Sequence, residues 1–352
     1  MIKAGIVGLG FMGRMHFNVL RTYPNVKVTA LCDVEPEKLA GEWLNVQGNI
    51  KDERAGAGGE IDLSSMEKFS DGNDLIKKGD VNMVVVTTPG YLHKPYAVAA
   101  LDAGKDVISE KPIAITLEDA DAMVDAASAS GKLLGVAQCV RFWPDYVAAR
   151  EIVQSRAYGR VQSAFFRRVG GAPLWSWKGW FLDGRLSGGT LLDLHVHDVD
   201  FIQTCFGIPK EVSSVGTIDA TCHDGAVDHV LTTFHYGDDG PVVSAQASWY
   251  FAAYPFEMSF TIHLERATLH YSSATSTRLT ICLPDGSKQN PKLLEGDGYS
   301  REIAYFIECI LKRQPLEKMP PLEARNNIAI ALAEREAILT GRRTPVTCRK
   351  QS

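Results

Sequence analysis

The stretch "GGTLLDLHVHDVDF", from Gly188 to Phe201, sets two histidines and three aspartates within fourteen residues. Imidazoles and carboxylates at that density bind a metal, move protons, or line a solvated helix face. Spacing helps to separate these uses. Between Gly188-Gly189 and Gly207 there is room for a helix of about four turns. At about 100° per residue, Asp193, His197 and Asp200 share one face, while His195 points nearly opposite. A regular helix therefore cannot aim both imidazoles of "HVH" at one ion, and no other His or Cys pair has suitable spacing, so no metal is expected. A carboxylate one turn from an imidazole fixes the ring's orientation and raises its basicity. The apolar flanks "TLL" and "VDFIQTCFG" argue for burial, where uncompensated Asp and His are costly. The expectation is an acid–base site.

A second constellation opens the chain. Gly8-Leu9-Gly10-Phe11-Met12-Gly13 follows an apolar strand and opens an amphipathic helix. In such a G-x-G-x-x-G turn the first glycine permits the tight bend and the second lets backbone approach a diphosphate. The third allows close helix–strand packing. Asp33 ends the next strand, "VTALCD", 20 residues after Gly13. A carboxylate there accepts hydrogen bonds from the adenosine ribose and repels a 2′-phosphate. Val34 and Glu35 offer no cation to that phosphate, so NAD is expected over NADP. Asp33 also suits the N-cap of the helix in "EPEKLAGEW".

The elements that position these residues alternate. "EWLNVQGNIKDERAGAGGEIDLSS" reads as a stretch with a surface loop, leading to a strand near Ile61–Leu63. Then come a buried parallel strand in "VNMVVVTTPG", a helix in "KPYAVAALDAG", a strand in "DVISEKP", a helix from Thr116 to Gly131, and a strand in "KLLGVAQCVRF". Strands alternating with helices form a doubly wound parallel sheet, expected to span residues 1–140. Ligands sit where such strands end, which selects Thr88-Pro89 and Glu110-Lys111-Pro112. Residues 141–352 open with the helix "PDYVAAREIVQSRAYG" and continue with period-2 segments, from "RVQSAFFRRVG" to "TRLTICLP". They close on two amphipathic helices, "SREIAYFIECILKR" and "LEARNNIAIALAEREAILTG". This is an α/β domain with a large, mostly antiparallel sheet.

Composition excludes several classes. The 352 residues carry a formal net charge of −5, with Lys and Arg scattered, so no nucleic-acid footprint is expected. No apolar run approaches the ~20 residues of a membrane span, and "MIKAGIVGLGFMG" lacks the basic start and cleavage site of a signal peptide. A cytoplasmic location follows as an expectation. The seven cysteines are dispersed without a C-x-x-C pair, which fits reduced, mostly buried thiols.

"GIVGLGFMG", "TTPGYLHKPYAVAALDAGKDVISEKPI", "RFWPDY" and "GGTLLDLHVHDVDF" together resemble the glucose-fructose oxidoreductase/inositol dehydrogenase (Gfo/Idh/MocA) family of sugar and polyol dehydrogenases, in order and spacing over nearly the whole chain. The resemblance implies an N-terminal Rossmann domain, a C-terminal α/β domain whose open sheet forms a homodimer or homotetramer, and a cis Lys111–Pro112 bond. It makes Lys111, Asp193 and His197 the catalytic set, with Asp200 and Arg141 as substrate contacts. Trp177, with Trp175 and Trp180, is a candidate wall for a sugar's apolar face, and Tyr299 a candidate neighbour of the nicotinamide. The cofactor contacts expected are Gly8, Gly10, Phe11, Met12, Gly13, Asp33, Thr88, Pro89, His93, Glu110 and Lys111. One position departs from the pattern: many relatives carry Gly where His195 stands. The implied reaction is NAD-dependent oxidation of a secondary hydroxyl. Two alternatives share the features: a glycoside hydrolase that oxidises C3 transiently before elimination, and a non-catalytic dinucleotide-sensing regulator.

Overall fold

The computed structural model describes residues 1–43, 48, 62–275 and 278–350. The chain forms two compact units, Met1–Cys139 with Tyr299–Arg325, and Val140–Gly298 with Asn326–Ser352.

The first unit runs β1 (Ile2–Val7), α1 (Phe11–Leu20), β2 (Val26–Cys32), α2 (Pro36–Ala40), β3 (Glu67–Phe69) and α3 (Gly72–Lys78). It continues with β4 (Met83–Val86), α4 (His93–Asp102), β5 (Asp106–Glu110), α5 (Leu117–Ser130) and β6 (Leu134–Ala137). All neighbours pair parallel, in the order β3-β2-β1-β4-β5-β6. Every residue of β4, β5 and β6 is buried, as a sheet covered on both faces requires. Thr116 caps α5 by accepting the Asp119 N–H at 3.2 Å, and Gly131 ends that helix at φ +65°. The strand expected near Ile61–Leu63 lies instead at Glu67–Phe69; Ile61 and most of the Gly-rich stretch before it lie outside the described residues.

The second unit holds α6 (Pro144–Ser155), β7 (Val161–Gly171), α7 (Gly184–Ser187), a π-helical turn (Leu191–His195) and α8 (Val196–Phe206). Then follow β8 (Glu211–Ile218), β9 (Val227–His235), β10 (Val242–Tyr250), β11 (Glu257–Leu264), β12 (Ala267–Ser272), β13 (Thr280–Cys282) and β14 (Lys288–Gln289). After α9 (Gly298–Lys312) and α10 (Pro321–Thr340), β15 (Thr344–Pro345) closes the sheet. Its order is β14-β13-β12-β11-β7-β10-β9-β8-β15, antiparallel except for the β7–β10 pair.

Period-2 alternation sorts this sheet's two faces. Phe166 and Phe260 point to the side covered by Tyr146 of α6 and Phe201 of α8, where edge-on ring pairs lie 4.8–5.9 Å apart. Burying each such ring stabilises the unit by about 1.5–3 kcal/mol. Asp198 in the first turn of α8 takes both Nε (3.1 Å) and Nη2 (2.9 Å) of buried Arg168 on β7. That clamp ties the start of α8 to the sheet. The opposite face leaves Phe165, Val215, Leu231 and Val242 exposed, with Val215 and Leu231 directly paired across β8 and β9.

One boundary differs from the continuous 141–352 domain expected from the sequence. Tyr299–Arg325 returns to the first unit. Phe306 of α9 lies against Gly135 in β6, where an added Cβ would stand 2.9 Å from its ring, and Arg325 holds Asp121 of α5 through two 2.9 Å bonds.

Candidate active site

The glycine turn behaves as a cradle. Gly8 sits at φ +98°, a conformation that favours glycine. A Cβ on Gly13 would stand 2.0 Å from the Gly8 carbonyl oxygen, so α1 meets β1 at a distance only glycine allows. A Cβ on Gly10 would meet nothing within 4 Å. Gly10 is also the N-cap of α1, which starts without a side-chain cap or an acidic residue in its first turn. Uncapped N–H groups beneath open space form an anion site, and half-buried Phe11 and Met12 flank it.

Asp33 is 7% exposed. Its Oδ2 accepts the Leu9 N–H at 2.7 Å and its Oδ1 the Glu35 N–H at 2.9 Å. The carboxylate thus joins the glycine turn to the end of β2, where a ribose of a dinucleotide would lie. The N-cap of α2 is Glu35, not Asp33. Sequence reasoning missed Lys38: its ammonium comes within 3.8 Å of Asp33 and 2.6 Å of Glu35. A cation one helical turn beyond the residues inspected was the available signal.

At the ends of β4 and β5 the candidate residues divide. Thr88 Oγ1 is buried and has no hydrogen-bond partner among the described residues. A polar atom left in that state marks where a ligand can complete the bonding. His93 is a brace: its Nδ1 lies 2.8 Å from the Pro112 carbonyl and its Nε2 2.9 Å from that of Thr88. Burial pushes this imidazole below its ordinary range, against the pull of those carbonyls. Glu110 is likewise engaged internally. Its Oε1 faces His16 Nε2 at 2.8 Å and its Oε2 accepts the Lys111 N–H at 3.2 Å. His16, on α1, was not anticipated; an isolated histidine three residues past the glycine turn carries little signal. Lys111 itself is half-buried and enters a cis bond with Pro112. Pro89 precedes a short 3₁₀ turn, Gly90–Leu92. Tyr299 is buried in the same unit, and that burial, with Cys139 and Glu110 near, raises its hydroxyl well above the ordinary value.

In the second unit the helix expected from Gly188 to Gly207 is present with one change: residues Leu191–His195 form a π-helical turn. Gly188 and Gly189, at φ +73° and +70°, bend the chain into it, and Thr190 Oγ1 donates to the Asp228 carbonyl at 2.9 Å. Asp193 is buried within the turn; His197 follows in the first turn of α8 and is half-buried. His195 goes the other way, is fully buried, and faces Glu334 at 2.9 Å. Burial alone would lower its pKa, but the Glu334 carboxylate, by charge and hydrogen bond, leaves it raised.

Asp200 is also fully buried. Arg141 grips it through Nε–Oδ2 (2.7 Å) and Nη2–Oδ1 (2.5 Å), and Asn327 Nδ2 donates to Oδ1 at 2.6 Å. These contacts brace α8, and they join the two residues expected to meet substrate, Asp200 and Arg141, to each other. Trp177 carries the Lys178 ammonium 4.6 Å from its ring centre, while Trp180 stacks on Phe181 at 4.0 Å. Away from this helix, ligand atoms of Asp183, His223 and Asp224 lie within 4.8 Å of one another. Arg185 bridges both carboxylates there, at 2.8 and 3.1 Å, and supplies the positive charge. All seven cysteines are free thiols. No helix among the described residues is long and apolar enough to cross a membrane.

Residues 2–138 match the family described as "Oxidoreductase family, NAD-binding Rossmann fold", and residues 146–270 match "GFO/IDH/MocA C-terminal domain". Among curated proteins, the chain is 32% identical over 244 residues to 1,5-anhydro-D-fructose reductase of Ensifer adhaerens, covering 67% of this chain and 72% of that one. It is 30% identical over 217 residues to 2,7-anhydro-N-acetylneuraminate hydratase of Escherichia coli, covering 61% of this chain; the match spans about half of that relative, 53%. In fold it is similar to a levoglucosan dehydrogenase solved with NADH and levoglucosan, with TM-score 0.82 and 22% identity over 98% of this chain and 99% of that one.

Proposed function

Because the chain belongs to the Gfo/Idh/MocA oxidoreductase family, we propose that it moves a hydride between a secondary hydroxyl of a cyclic sugar, polyol or sugar derivative and NAD. The observation that carries this reading is the buried Asp193 one turn ahead of the half-buried His197 on a single helix. The nicotinamide, when bound, supplies the hydride acceptor. His197 takes the hydroxyl proton as the carbinol is oxidised and returns it in the reverse direction. Asp193 holds the imidazole in orientation and stabilises its protonated form. The Lys111 ammonium stabilises negative charge developing on the substrate oxygen.

Binding of the dinucleotide falls to the first unit. The uncapped start of α1 takes the diphosphate over Gly10, and Asp33 takes the adenosine ribose. Asp33 and Glu35 together outweigh Lys38, which favours NAD over NADP. Trp177, with Lys178 over its ring, is the candidate wall for the apolar face of a sugar. Asp200 and Arg141 are assigned to holding α8. Relatives named as an anhydrofructose reductase and inositol dehydrogenases support a sugar or polyol substrate.

A second reading has a specific support: two similar relatives are named 2,7-anhydro-N-acetylneuraminate hydratases. In it the same groups oxidise a secondary hydroxyl of the substrate only transiently, and the resulting ketone acidifies the neighbouring C–H for elimination, water addition and re-reduction by the NADH just formed. The exposed sheet face with Val215 and Leu231 suits a homo-oligomer, and seven free thiols suit a reducing, cytoplasmic setting. The test is a screen of free sugars, inositols, sugar acids, nucleotide sugars and anhydro sugars with NAD, following both NADH and products. NADH formed in step with a keto product supports the dehydrogenase; net hydration or hydrolysis without NADH supports the second reading. Tight NAD binding with no conversion of any substrate overturns both.

A further inference from the structure

His195 and Asp200 flank His197 in sequence, and both are held by one helix. Asn327 and Glu334 of α10 stand seven residues apart, two turns along one side. Asn327 donates to Asp200 at 2.6 Å, and Glu334 Oε1 faces His195 Nε2 at 2.9 Å. All four side chains are fully buried. The Asn327 contact falls on α8 and the Glu334 contact falls on the last residue of the π turn, so α10 runs antiparallel to this helix and spans the junction. At the other end of the turn, Thr190 is fixed to the Asp228 carbonyl.

A π turn is rare because it holds about one residue more than an α-helix would. Relaxation to α geometry would rotate the residues before it by ~100° relative to those after it. Asp193 lies inside the turn and His197 beyond it, so their relation depends on the turn being kept. Two buried polar contacts at one end, and one at the other, are what keep it.

We propose that Glu334 and Asn327 are positioning residues. By holding His195 and Asp200 from α10, they fix the phase of the π turn that presents Asp193 to His197. The inference rests on reading Asp193 and His197 as the acid–base pair. It also gives His195 a role without contact to substrate, as the anchor for Glu334.

The test uses the intact protein and the best substrate from the screen. His195→Leu/Glu334→Leu replaces a buried pair with apolar groups, an exchange that is often close to neutral for stability. We expect kcat to fall about 10–100-fold, the scale of an ångström-sized misplacement, with NAD Kd within about twofold of wild type. Amide hydrogen exchange over residues 191–197 should speed up at least about tenfold. Glu334→Gln keeps an acceptor for His195 and should recover most of kcat. Asn327→Ala, which leaves the His195 pair intact, should show the same selective loss of kcat should the double variant fail to fold. Wild-type kcat and exchange in the double variant, or in Asn327→Ala, overturns the proposal; so does a Glu334→Gln variant as impaired as the double variant. Should wild type convert no sugar, the functional reading falls, and amide exchange alone still decides whether α10 holds the turn.

Discussion

Gly10→Ala and Gly13→Ala should separate cofactor binding from folding, though the residues lie three apart. A Cβ at Gly13 would stand 2.0 Å from the Gly8 oxygen, 1.4 Å short of the 3.4 Å at which ordinary contact begins. The neighbour is backbone of the adjoining turn, so α1 must move off β1. Overpacking of this kind costs about 1–3 kcal/mol, or roughly 2–12 °C in Tm for a unit of this size. At Gly10, φ −70° suits alanine and the space is open for 4 Å, so Gly10→Ala should leave Tm within about 2 °C. That methyl would occupy the approach of the diphosphate, and NAD Kd should rise at least about tenfold, or 1.4 kcal/mol. Differential scanning calorimetry and isothermal titration with NAD measure the two quantities. Gly10→Ala binding NAD like wild type would refute the cradle; Gly13→Ala with unchanged Tm would refute the packing argument.

Asp33→Ser should lower kcat/KM for NAD and raise it for NADP, since it removes the carboxylate while Lys38 remains; steady-state kinetics with both cofactors report it, and an unchanged preference sinks the assignment. The raised pKa of His195 gives stability that is full below the unfolded value near 6.5 and is lost as pH rises through the folded value. Urea unfolding from pH 6 upward should therefore show a decline in wild type that His195→Leu/Glu334→Leu lacks, and parallel curves would contradict it. Leu231→Glu, on the exposed face opposite Val215, should shift the protein toward monomer in analytical ultracentrifugation; an unaltered oligomer moves the interface elsewhere.

Much of this was legible because the signals are local. The glycine turn, the buried strands and the period-2 segments each report one element's own surroundings, and β7–β12 follow the alternation in the sequence. What the sequence did not carry depends on distant partners. The apolar face of α9 says that it is buried, not that Phe306 packs on Gly135 of the first unit. Helical periodicity put His195 opposite His197, but nothing local marks a π turn, which is held from α10 and β9. Glu110 was expected to meet a ligand because it ends a strand, and His93 and Asp200 because the family resemblance implies it. Their hydrogen bonds to the Thr88 and Pro112 carbonyls, His16, Arg141 and Asn327 show a bracing role that no local pattern announced.

The central claim is that His197 is the base. It is tested by kcat and NAD Kd for His197→Ala beside His195→Ala and Asp193→Asn, on the best substrate. The account predicts a loss in kcat of roughly 10²–10⁴ for His197→Ala, a partial loss for Asp193→Asn, a smaller one for His195→Ala, and NAD affinity near wild type throughout. A His197→Ala enzyme that turns over like wild type would contradict it.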